Sequence, residues 1–169
     1  MALRKIITSE NPILRQKAKK VHRFDPSLQK LVDDMFEMMH DANGVGLAAP
    51  QIAMSIRVFV AEYEDRKVAL FNPEIVKVEG EALGTEGCLS IPGYAGDNIR
   101  RALKVVVKGQ DVHGKSIRIN AEGWFARILQ HEIDHLNGVL FIDRLDRPED
   151  LRELPPAEDL QEENTALVE

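Results

Sequence analysis

The sequence predicts an α+β fold, with mostly antiparallel, short-stranded sheets packed around a central helix. Three observations lead there. Apolar residues recur at helical spacing between Leu28 and Ala42, and a run of short β-branched segments follows from Ile56 onward. Regular strand–helix–strand alternation, which would favour a parallel sheet, is absent. At 169 residues, 44% hydrophobic and 30% charged, the chain is long enough to bury the core of one domain without disulfides.

The elements follow in order. Asn11-Pro12 supplies a helix cap and a first-turn proline, opening a short helix to about Lys19. Asp25-Pro26 repeats the signal before a longer helix with Leu28, Leu31, Val32, Met35, Met39 and Ala42 on one face, stopped by Gly44 after Asn43. Met35, Met38 and Met39 read as core packing. Ile56–Ala61, Val68–Phe71, Ile75–Val78, Lys104–Lys108 and Ser116–Asn120 read as strands, the last two joined by a hairpin turn over Asp111–Lys115. Asn120 or Glu122 opens a third helix that ends at Asn137-Gly138. Beyond Arg147-Pro148 the sequence turns acidic and carries Pro155-Pro156. It therefore divides into a domain over residues 1–147 and a loosely attached or disordered tail over 148–169.

Charge and cysteine usage exclude several classes. From Asp146 onward nine acidic residues face two arginines, more than the whole formal net charge of −6, so the body is nearly neutral. No basic stripe is dense enough to neutralise many phosphates, which argues against a nucleic-acid surface. One cysteine forms no internal disulfide, the N-terminal segment lacks a secretory pattern, and no apolar run has the length of a membrane span. A cytoplasmic protein is the plain reading.

The most informative residues are His131-Glu132-Ile133-Asp134-His135. Positions i and i+4 share a helix face, so both imidazoles can reach one metal ion. The central helix of the expected fold is thus a metal-binding one. Glu132 sits beside the ion without binding it, placed to move protons on and off a metal-bound water. Two core or solvent histidines beside a surface glutamate are the bland alternative. One zinc-protease pattern would need a third histidine at position 141, which is Phe141; another takes a glutamate from a downstream helix, and Glu153, considered for that place, lies in an acidic stretch with no clear helical core face.

The third ligand is better sought upstream, at Cys88 in Glu86-Gly87-Cys88-Leu89-Ser90. A lone cysteine can also be a small buried hydrophobe, or a nucleophile with a histidine base, but a thiolate beside two histidines binds a metal in preference to staying free. Gly44-Val45-Gly46-Leu47-Ala48-Ala49-Pro50-Gln51 lacks the lysine of a phosphate loop. It reads as a connecting loop, or as small residues admitting a ligand beside Gln51, whose amide could donate to a developing oxyanion.

Taken together, GVGLAAPQ (44–51), EGCLS (86–90) and the block QHEIDHLNG, its core at 131–138, resemble in order and spacing the three signature blocks of the peptide deformylase family. The resemblance implies a hydrolase that removes the N-formyl group from the formyl-methionine of new polypeptides, releasing formate by attack of metal-bound hydroxide. It implies Cys88, His131 and His135 as ligands, Glu132 as proton shuttle, and the Gln51 amide with the Leu89 N–H as oxyanion donors. It further implies that substrate lies extended beside Val45, Gly46 and Gly87; the methionine pocket is expected along the histidine helix, where Trp124 and Ile128, seven and three residues before His131, are either pocket walls or ordinary core residues. Arg127 either anchors the Cys88 loop through Glu86 or is a solvent charge, the former being expected, and which of Tyr94, Arg100 or Arg101 meets substrate is left open. Fe²⁺ is the implied ion, with Zn²⁺, Ni²⁺ or Co²⁺ as substitutes. The implied partners are N-formyl-methionyl peptides and nascent chains, with at most a transient ribosome association, because the acidic tail departs from members with a basic C-terminus. A metalloprotease or other amidase, and a catalytically inert binding module that retains the fold, are the competing readings.

Overall fold

The computed structural model describes residues 4–155. Two helices and eight strands form two antiparallel sheets, which bears out the α+β expectation. The larger sheet runs in the order β1 (Gly46–Ala48), β2 (Val58–Tyr63), β3 (Arg66–Glu79), β6 (Lys104–Gln110), β7 (Ser116–Glu122). The smaller contains β4 (Ala82–Cys88), β5 (Ile91–Arg101) and β8 (Leu151–Glu153), with β5 in the middle. Helix α1 spans Ser27–Asp41 and α2 spans Gly123–Leu136. No helix among the described residues is long and apolar enough to cross a membrane.

The period-two pattern of β2 organises the core. Val58 and Val60 point to α1, where Leu28, Val32, Met35, Phe36, Met38 and Met39 meet Leu47, Ile52 and Phe71. The methionines are therefore core residues. Phe59 and Ala61 point the other way, toward Phe125, Ala126, Ile128, Leu129, Ile133 and Leu136 of α2, joined by Leu70, Val105, Val107 and Ile119. Helix α2 is buried on nearly every side, so its polar residues must find partners inside the protein.

Both helices end in the double hydrogen bond of a Schellman motif. At α1 the N–H of Gly44 reaches Met39 O and that of Asn43 reaches His40 O, and it is Asn43, at φ 56°, that turns left-handed, not the glycine the sequence suggested. At α2, Val139 N–H reaches Asp134 O and Gly138 N–H reaches His135 O, with Gly138 at φ 76°.

Several expectations need correction. The N-terminal helix is one 3-10 turn, Pro12–Arg15, capped by the Asn11 side chain. It stops short of Lys19 because the next residues bond elsewhere: Ala18 N–H to Leu136 O, and Lys19 to Ser55 and Arg57. The two strand segments expected either side of Asn72-Pro73 are one strand, β3, with its ladder shifted between Phe71 and Glu74. That irregularity tolerates the proline, and Asn72, at φ 50°, uses its amide to bind both the N–H and the C=O of Val21. Asn120 belongs to β7, so α2 opens after Glu122. The segment after Pro148 is not loose as far as Glu153, since Leu151–Glu153 pair with Tyr94–Gly96 of β5. The remainder of the expected tail, 156–169, lies outside the described residues.

A Cβ on Gly138 would stand 2.6 Å from Arg15 O, at a backbone angle that L side chains avoid. Gly138→Ala is expected to destabilise the protein by about 2 kcal/mol or more, read from urea unfolding at unchanged slope.

Candidate metal centre and catalytic cavity

Three donors converge where the β4–β5 turn meets the C-terminal half of α2. Cys88 ends β4, while His131 and His135 lie one turn apart on α2. The Cys88 Sγ and one nitrogen of each imidazole all lie within 4.8 Å of one another, with Sγ 3.3 Å from His135 Nε2. One sulfur and two ring nitrogens suit a borderline or soft divalent transition metal. Burial holds the pKa of His135 well below its ordinary value, which favours the neutral imidazole that a ligand must be.

A single carboxylate orients this cluster. Glu86, two residues before Cys88, is 4% exposed and accepts four hydrogen bonds. These come from His131 Nδ1 (2.8 Å), Arg101 Nη2 (2.7 Å), Arg101 Nε (2.8 Å) and Arg127 Nη1 (2.7 Å). A carboxylate accepts only, so His131 carries its proton on Nδ1 and presents Nε2 to the other donors. Burial alone would raise the pKa of Glu86, but the bonds from Arg101 and His131 outweigh it and hold the group far below the usual carboxylate range. Arg127 also reaches the carbonyls of Ile99 (3.0 Å) and Ala82 (2.9 Å), so the expected Arg127–Glu86 anchor exists.

The cluster continues into residues to which the sequence reading gave no such role. Arg101 is 4% exposed and bridges Glu86 to Asp134 of the helix motif at 2.5 Å, and Arg144 grips the same Asp134 at 2.6 and 2.7 Å. Arg101 shares the inward face of β5 with Ile99, whereas Arg100 points out to Glu81 and Asp146. That alternation was the available signal, once β5 was recognised as a strand. Of the three residues left open, Arg101 is committed to this buried network and Tyr94 lines the cavity.

Glu132 contrasts with Glu86. It is 4% exposed, yet its Oε1 has no hydrogen-bond partner among the described residues. Burial pushes its pKa up to about 7. Its other oxygen packs on Gly46, where a Cβ would stand 2.5 Å from Oε2. The small residues of the first block thus make room for this carboxylate. Gln51, 2% exposed, accepts from Ala48 N–H through Oε1 (2.9 Å), which turns its NH₂ toward Ser90 Oγ (3.1 Å) and Cys88 Sγ (3.7 Å). Ser90, fully buried, is a further partner that the sequence reading did not single out, although it lies inside the EGCLS block.

One cavity opens over these groups. Val45, Gly46, Gln51, Gly87, Cys88, Leu89, Trp124, Ile128, His131 and Glu132 all line it, and His135 lies buried beneath. Glu153 is exposed on β8 and is not among the converging donors.

Comparison with known proteins decides the family. Residues 3–150 match the sequence model of the family described as polypeptide deformylase. The chain belongs to the peptide deformylase family. A peptide deformylase of Dehalococcoides mccartyi (strain CBDB1) is 50% identical over 165 residues, covering 96% of this chain and 98% of that one. The crystal structure of the Thermus thermophilus peptide deformylase superposes with a TM-score of 0.83 at 43% identity, covering 98% of this chain and 95% of the other. A Met-Ala-Ser-bound class I type b peptide deformylase from Acinetobacter baumannii gives 0.82 at 35% identity, covering 85% and 99%. Like other peptide deformylases, the chain is a metal-dependent hydrolase that removes the N-formyl group from nascent peptides.

Arg101→Met would remove two of the four donors to buried Glu86 and one of the two arginines that hold Asp134. It is expected to cost about 3–5 kcal/mol in a denaturation measurement, against a change within about 0.5 kcal/mol for Arg100→Met on the exposed side of the same strand.

Proposed function

We propose that Cys88, His131 and His135 hold the metal of this deformylase and that Glu132 carries the proton. The observation supporting this most directly is the convergence of one thiol and two imidazoles beside a buried carboxylate with one unpartnered oxygen. A divalent ion held there supplies Lewis acidity, activating a water and polarising the formyl carbonyl. Glu132 takes the proton from that water and later delivers it to the departing amine, a task suited to a carboxyl group whose burial lifts its pKa toward neutrality. The Gln51 NH₂, oriented by Ala48, and the Leu89 N–H donate to the oxygen that gains negative charge.

The substrate lies extended along Val45, Gly46 and Gly87, its main chain pairing as an added strand, so that later residues are read through the backbone. Trp124 and Ile128 wall the methionine pocket. The working ion is Fe²⁺, with Zn²⁺, Ni²⁺ or Co²⁺ as substitutes, since thiolate and imidazole accept all four and availability decides between them. The reaction takes place in the cytoplasm on nascent chains, with transient ribosome association. Residues 1–147 form the main body of the catalytic domain, and the acidic segment 148–169 completes it through β8 and the cavity-lining Leu154.

Glu132→Ala is expected to lower formate release from formyl-Met-Ala by a factor of about 10²–10⁴ while metal content stays at that of the parent chain. Full turnover in that variant with metal bound would remove Glu132 from its role. Glu86→Gln, which keeps the shape but weakens the hold on His131, is expected to reduce metal affinity by about 10–100-fold in a chelator competition.

A further inference from the structure

One wall of the cavity comes from outside the three sequence blocks. Leu154, directly after β8, lines the cavity beside Pro92, Gly93 and Tyr94, and its N–H donates to Gly93 O at 2.8 Å. The strand behind it is firmly seated. Glu153, Arg152 and Leu151 face Tyr94, Ala95 and Gly96 of β5. Arg152 Nε donates to Asp97 at 2.9 Å, and Leu151 packs on the cluster containing Ile91, Ile99 and Phe141. Buried Asp150 accepts from Asn98 Nδ2 at 3.1 Å.

Tyr94 is 38% exposed and is one of the few large apolar side chains left in water, and Leu154 beside it is only half-buried. These two apolar groups border the cavity that holds the proposed donors, so what covers them enters by the same opening. A peptide running from the formyl group along the cavity is the occupant that this continuity selects, because its chain extends outward from the reacting bond. Backbone pairing leaves its side chains free to meet the walls.

We propose that Leu154 and Tyr94 form a subsite for an apolar substrate side chain downstream of the formyl-methionine, so that the C-terminal strand sets a preference for the later residues of the peptide. This rests on the deformylase assignment above. Within it, Leu154 is a specificity residue and takes no part in the bond cleavage.

The test compares the parent chain, Leu154→Ala and Leu154→Met on formyl-Met-Ala, formyl-Met-Ala-Ser, formyl-Met-Leu-Ala and formyl-Met-Ala-Leu. Both substitutions keep the N–H that bonds Gly93, so β8 stays paired. Leu154→Ala is expected to raise KM roughly fivefold for a leucine peptide at unchanged kcat, the size expected for losing part of a buried leucine contact. Formyl-Met-Ala and the serine peptide are unaffected, and Leu154→Met restores the leucine preference. An equal loss on all four peptides would make Leu154 merely structural and overturn the proposal, as would no change on any. Failure of the parent chain to release formate from formyl-Met-Ala would overturn the underlying assignment instead, and this subsite with it.

Discussion

The Glu86 carboxylate is the constraint on which the arrangement of this protein depends. It stands on β4 two residues before the cysteine and accepts from Arg101 on β5, and from Arg127 and His131 on α2. Sheet and helix could pack through apolar contacts alone, and a buried ionic cluster rarely adds net stability over well-packed hydrophobes. What the charges add is register. Each oxygen of Glu86 is matched to two particular donors, so a one-residue slip of β4 against β5, or a rotation of α2, would leave buried charge unpaired. The same carboxylate thereby fixes a thiol and an imidazole that are far apart in the chain, which is why their donor atoms come within a few ångströms of each other.

Close packing of polar groups demands absent side chains elsewhere. Gly84 leaves room for the Arg127 guanidinium, which a Cβ there would approach to 2.8 Å, and Gly46 does the same for Glu132. These glycines have ordinary backbone angles and are needed for space, whereas Gly138 is needed for its left-handed turn as well as for space. The helix is surrounded by β1, β2 and β7 on its apolar side and by the Glu86 network on its polar side, and it can be rigid without being hydrophobic throughout.

What could be read from the sequence follows from the range of the interactions involved. Helix α1 declared itself through local period and turn residues. The converging donors were legible because i, i+4 spacing is itself a geometric statement, and the three blocks pointed to the family. The β4–β5 hairpin was missed because its residues are glycines, charges and an inward arginine, with little β-branched character to mark a strand. Arg101 and Arg100 are neighbours of the same type. Only the strand's alternation separates the one that holds the centre together from the one in solvent, and that alternation is invisible until the strand is known. The short β8 has almost no apolar signature, since it is held by backbone bonds to β5 and by ion pairs.

Two carboxylates beside the same histidine show how environment divides labour between chemically similar groups. Both Glu86 and Glu132 are 4% exposed. Glu86 meets four donors, stays ionised and gives up its freedom to move a proton, which suits it to orient a ligand. Glu132 has an oxygen with no partner among the described residues, sits against a glycine, and is pushed by burial toward holding a proton near neutral pH. Exchanging these surroundings would disable both: a proton carrier locked among arginines could not release charge, and an orienting group without donors could not hold the imidazole. The separation of roles therefore lies in the placement of Arg101 and Arg127 on one side of His131 and of Gly46 on the other, and the residue type at either position states it only in part.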